Sequence, residues 1–143
     1  MPIMNTEQGI SNTEVEAPNQ SKKKFDLEDR LIDFSVVVIE ISESLQNTPA
    51  GRHLSGQVVR SGTSPALQYG EAQSAESSAD FIHKLKILLK ELRETFVSLK
   101  IIKRVSLSSK TNLVDKGLVE CNELIAIFNK SIETAKKNND RRK

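Results

Sequence analysis

Apolar residues recur along most of this chain at intervals of three and four, and nowhere do they alternate with polar residues over the length of a strand. The clearest stretch runs from Ser77 to Val105 and contains no glycine or proline. Placed at about 100° per residue, Phe81, Ile82, Leu85, Leu88, Leu89, Leu92, Phe96 and Leu99 gather on one broad face. The pattern predicts a helix of about 40 Å, long enough to span a small domain, around which the rest of the chain is organised. Ser77 is its N-cap, and Asp80 three residues on completes a capping-box pattern.

Three further helices are predicted. The first is capped by Asp26, with Asp29 beside the positive helix end, and carries Leu27, Leu31, Phe34, Val38, Ile41 and Leu45 as a seam. It stops at Asn47-Thr48-Pro49, where Thr48 caps the second helix and Pro49 takes the first position, at which a missing N–H costs nothing. The second helix carries Leu54, Val58 and Val59 before it meets Arg60-Ser61-Gly62-Thr63-Ser64-Pro65. Pro65 removes one backbone bond and crowds the Ser61 carbonyl, so a kink or a break is expected there. Ala66, Leu67 and Tyr69 resume the helix, Gly70 ends or bends it, and residues 71–78 read as a connection. After a turn at Ser106–Ser109, the fourth helix places Val114, Leu118, Cys121, Ile125, Phe128, Ile132 and Ala135 on one seam and is expected to end at Lys136–Asn139.

Four amphipathic segments with short connections predict an all-α, antiparallel up-and-down four-helix bundle with a kinked second helix, over residues 25–137. Its predicted core includes Phe34, Ile41, Leu85, Leu88, Leu92, Cys121, Ile125 and Phe128. Ile87, Ile101 and Ile102 of the third helix, and Val36, Val37 and Ile39 of the first, fall outside the main seams. Apolar surface of that kind marks an interface, here one between copies of the chain or with a protein partner.

Length and charge sharpen this picture. A chain of 143 residues suits one domain with a modest core. Residues 1–24 lack apolar periodicity and are expected to be a disordered tail, and residues 138–143 a basic one. No apolar run reaches membrane-spanning length and the N-terminus has no signal-peptide pattern, so no membrane association and a cytoplasmic location are expected. The net charge is +2, but residues 136–143 hold five basic side chains against Asp140 and residues 1–24 are balanced, which leaves the body from 25 to 135 at −2. Attraction for phosphate must therefore come from local clustering or from the C-terminal end.

Candidate chemistry is sparse. Asp80 and His83 stand three residues apart like half of a carboxylate-bundle metal site, but the wheel puts both opposite the apolar face and no second such pair exists. His53 has no partner at ligand spacing, Cys121 lies within a seam where its role is packing, and no nucleophile elbow or glycine-rich phosphate loop is present. No catalytic, metal or cofactor site is predicted, and no enzymatic activity. What stands out is a line of cations, Lys86, Lys90, Arg93, Lys100 and Arg104, on one flank of the third helix and interrupted only by Val97. One reading is a solvated flank paired with Asp33, Glu40, Glu43, Glu120 or Glu123 of neighbouring helices. The other is a phosphate-contacting strip, electrostatic and weakly sequence-selective, because the chain has few aromatics for base stacking.

Gln57-Val58-Val59-Arg60-Ser61-Gly62-Thr63-Ser64, Gln68-Tyr69-Gly70-Glu71-Ala72-Gln73 and Ala79-Asp80-Phe81-Ile82-His83-Lys84-Leu85, with Leu88, Lys90, Glu91, Arg93, Glu94 and Thr95, together resemble the bacterial four helix bundle protein family. That family includes 23S rRNA-intervening sequence proteins and is related to the accessory variability protein of diversity-generating retroelements. The resemblance covers about residues 25–137 and is most specific over 52–104. It implies a four-helix protomer assembled as a ring-like homopentamer, association with RNA or DNA in some relatives, and no assigned enzymatic activity. The chain departs from the family at Gln68, where asparagine is frequent, and its body lacks the strongly basic character of the retroelement relative.

Overall fold

The structure, a computed structural model, describes residues 26–142; the expected N-terminal tail lies outside the described residues. Four helices follow one another: α1 (Leu27–Glu43), α2 (Pro49–Gln73), α3 (Ser78–Val105) and α4 (Thr111–Arg142). Their starts are set by the residues that sequence chemistry singles out. The Asp26 carboxylate accepts from the Asp29 N–H, the Thr48 hydroxyl from the Gly51 N–H, and the Ser77 hydroxyl from the Asp80 N–H.

The helices form an antiparallel bundle in which α2 packs extensively on both α1 and α3, and α3 on α4, while α1 rests only lightly on α4. Hence α1 and α3 sit on one diagonal, with outward faces pointing in opposite directions. The core holds Leu31, Phe34, Val38 and Ile41 of α1, Val58 of α2, Leu85, Leu88, Leu92, Leu99 and Ile102 of α3, and Cys121, Leu124 and Phe128 of α4. At one end the α1–α2 and α3–α4 connections lie side by side. Gln46 donates its N–H to the Leu107 carbonyl (2.9 Å), Ser109 to the Ser44 carbonyl (3.2 Å), and the Ser44 and Ser108 hydroxyls share a 2.6 Å hydrogen bond.

Several local expectations are corrected. α2 runs without a break through Pro65, which is buried, and continues past Gly70 to Gln73, so the connection is shorter than residues 71–78. Next to the proline, Gly62 meets Val38 of α1. A Cβ there would lie 2.6 Å from a Val38 methyl, so the missing side chain is what lets the two helices approach. Ile125 is only partly buried, and its neighbour Leu124 takes the core position. Ile102, placed outside the seam by the wheel, is fully buried, because the connection that follows folds back over the end of α3 and brings Leu107 into the core beside it. α4 does not stop at Lys136–Asn139 but continues through Arg142. α3 ends in Ser106 at φ 57°, a left-handed position unusual for a residue with a side chain, which lets the Leu107 N–H reach the Ile102 carbonyl.

Candidate nucleic-acid interface

Between α2 and α3, opposite the buried Ser61, Thr95 is fully buried. Its hydroxyl bonds the Glu91 carbonyl at 2.8 Å and shares a 2.8 Å hydrogen bond with the Ser61 hydroxyl. This satisfied polar pair faces inward and fixes the rotation of α3. The Cys121 thiol does the same from α4, donating to the Leu92 carbonyl at 3.2 Å. Burial pushes that thiol up to about 12, so at neutral pH it is a packed, un-ionised group, in keeping with the packing role read from its seam position.

With the inner face so fixed, Lys86, Lys90, Arg93, Lys100 and Arg104 all emerge exposed on the outward face of α3. Among the described residues none of the five forms an ion pair. Arg93 donates one hydrogen bond to the Asn129 side chain (3.2 Å), and the Lys100 ammonium sits 4.5 Å from the centre of the Phe96 ring. The acids that would have neutralised the line are engaged elsewhere or stand on a distant helix. Glu120 and Glu123 of α4 clasp Arg30 of α1 at 2.7 and 2.8 Å, and the hydrogen bonds that Arg30 donates to Glu120 raise its pKa further above the ordinary value. Glu91 and Glu94, on the flank of α3 nearest α2, are held by Arg60 at 3.1 and 2.7 Å. Asp33, Glu40 and Glu43 lie on the diagonally opposed helix.

Sequence reasoning missed the Arg30 and Arg60 clamps. Their signal was present only as unassigned arginines, since nothing in a single helix wheel tells which neighbour an arginine will reach. It also missed an open groove of about 700 Å³ along the N-terminal part of the stripe, where Lys86, Lys90 and Arg93 share the lining with Leu89, Val97 and the Arg60-paired Glu94. Asp80, His53 and His83, weighed as chemistry, and the motif residues Tyr69 and Glu71 all lie outside this groove. Asp80 is partly buried in the helix cap, and His53 and His83 are exposed. Tyr69 packs edge-on against Phe128, with ring centres 5.8 Å apart, and burial raises its phenol. Glu71 is exposed and pairs with Lys84 at 2.8 Å. Among the described residues, no helix is long and apolar enough to cross a membrane.

The four-helix fold agrees with what the chain is similar to. The model of the 23S rRNA-intervening sequence protein family matches residues 23–130, the whole bundle apart from the end of α4. The chain belongs to that family. A solved structure from Bacteroides thetaiotaomicron VPI-5482, described as a protein with unknown function from the S23 ribosomal protein family, is 30% identical, with a TM-score of 0.68 over 74% of this chain and 97% of that one. No curated protein matches. The solved relative is of unknown function, and the shared fold leaves function to be argued from the surface.

Proposed function

We propose that this protein is a non-enzymatic, homo-oligomeric helical bundle, pentameric by its family resemblance, that holds RNA or DNA through phosphates along α3. The observation that supports the reading is the line of five exposed cations that form no ion pair among the described residues, on a helix whose Glu91 and Glu94 are engaged by Arg60. From Lys86 to Arg104 the line spans about 27 Å, the rise of about eight base pairs, and it repeats in every copy of an assembly. Binding of this kind is electrostatic, tolerant of sequence and steeply dependent on salt.

Because α4 is helical through Arg142, the test neutralises the C-terminal charges in place rather than truncating the chain. One variant carries Lys136→Gln, Lys137→Gln, Arg141→Gln, Arg142→Gln and Lys143→Gln; a second adds Lys90→Glu and Arg93→Glu. In filter binding at low salt the first retains RNA or DNA and the second does not. Loss of retention in the first variant overturns the role of α3. The exposed apolar face of α1 favours a second reading, a protein-interaction scaffold, which predicts no retention by either variant.

A further inference from the structure

Two outward faces of this bundle carry exposed apolar side chains at helical spacing, and their charges are opposite. On α1, Ile32, Val36 and Ile39 are 45%, 49% and 38% exposed in a line, bordered by Asp33, Glu40 and Glu43. On α3 the exposed apolar residues are confined to the C-terminal half, where Val97, Ile101 and Val105 are 54%, 42% and 58% exposed beside Lys100 and Arg104. The N-terminal half of the same outward face, with Lys86, Lys90 and Arg93, has no large exposed apolar residue. The two apolar lines are matched in length, about 11 Å on α1 and about 12 Å on α3. None of the three acids bordering the α1 line forms an ion pair among the described residues.

We infer that the α1 face of one copy docks on the C-terminal half of the α3 face of a second copy. This rests on the oligomeric part of the function proposed above and specifies which surfaces meet. Apolar side chains meet apolar ones, and Lys100 and Arg104 meet acids that form no ion pair among the described residues, so each set of groups gains a partner of opposite charge. Because α1 and α3 lie on one diagonal, each copy keeps an unused α3 face on one side and an unused α1 face on the other. The contact is therefore heterologous, and it propagates from copy to copy until a ring closes. It divides the basic line in two: Lys100 and Arg104 serve assembly, and Lys86, Lys90 and Arg93 remain outward for phosphate.

The test uses the full chain and sedimentation equilibrium at micromolar concentration without nucleic acid. Wild type sediments as an oligomer. Val36→Lys, which spoils the α1 face, and Ile101→Glu, which spoils the α3 face, each sediment as a monomer with unchanged helicity by circular dichroism. Mixed in equal amounts they form a species of two copies and no larger one, since the intact α3 face of the first accepts the intact α1 face of the second. Charge reversal supplies an independent pair: Glu40→Lys with Glu43→Lys dissociates the oligomer, and adding Lys100→Glu with Arg104→Glu in the same chain restores it. A monomeric wild type overturns both the docking and the oligomer. An oligomeric wild type whose mass is unmoved by Val36→Lys or Ile101→Glu, or a mixture that stays monomeric, overturns the docking alone. Nucleic-acid retention is read separately by filter binding, so its failure leaves this result standing.

Discussion

The two sides of α3 make an instructive contrast. Inward, Leu85, Leu88, Leu92, Leu99 and Ile102 are at most 1% exposed, and Thr95, the polar residue among them, has its hydroxyl satisfied by Ser61 and the Glu91 carbonyl. Outward, cations and three apolar residues face solvent, and no packing constraint within the chain requires them. An inward position is dictated by the volume and polarity of its neighbours, so its identity reports the fold. An outward position can be filled by almost any helix-forming residue, so a line of like charges there is information of another kind, about what approaches the surface.

The contrast can be broken most severely from the inside. Truncating Leu88 to Ala removes a fully buried side chain at the centre of the bundle, and chemical denaturation is expected to show a loss of about 2–5 kcal/mol. Gly62→Ala acts by the opposite route. Its Cβ would lie 2.6 Å from a Val38 methyl, which forces α1 and α2 apart at an expected cost of about 1–3 kcal/mol, with the midpoint shifted and the denaturant slope unchanged.

A smaller effect belongs to the Cys121 thiol. Its folded pKa is raised from 9.0 to about 12, so its stabilising contribution is complete below pH 9 and is lost as pH rises toward the folded value, because the unfolded chain releases the proton first. By about pH 10 the loss is about 1 kcal/mol, and Cys121→Ala flattens that part of the stability–pH curve. The same shift predicts that the thiol resists alkylation at pH 8 unless the protein unfolds.

The least effect on stability is expected on the outer side. Lys90→Glu with Arg93→Glu changes unfolding free energy by about 0.5 kcal/mol or less, since both side chains are exposed and neither forms an ion pair among the described residues. The same pair reduces the slope of log affinity against log salt for duplex DNA by about 2, or by somewhat less for a single strand. A variant that leaves stability untouched while abolishing binding would separate the two sides of α3 most sharply.

The inner side was the more legible. The spacing of Leu85, Leu88, Leu92 and Leu99, and of Phe34, Val38 and Ile41, marks burial directly, because a helix wheel is a faithful map of one helix against one core. Its errors fall where a second element intervenes. Ile102 is buried by the α3–α4 connection, Leu124 takes the place expected for Ile125, and the second helix runs on to Gln73 into the stretch expected to be a connection.

By itself the sequence determined the all-α class, the caps at Asp26, Thr48 and Ser77, most of the core, and the placing of five cations on one side of α3, since each depends on local chemistry and periodicity along a single helix. Only the tertiary structure decided that those cations meet no acid among the described residues. Arg30 lies 90 residues from Glu120 and Arg60 lies 31 from Glu91, so their pairing, and with it the unpaired state of the stripe, depends on how the helices pack side by side. The opposed outward faces of α1 and α3 were settled at the same level, because a diagonal is a property of four packed helices and of no segment alone.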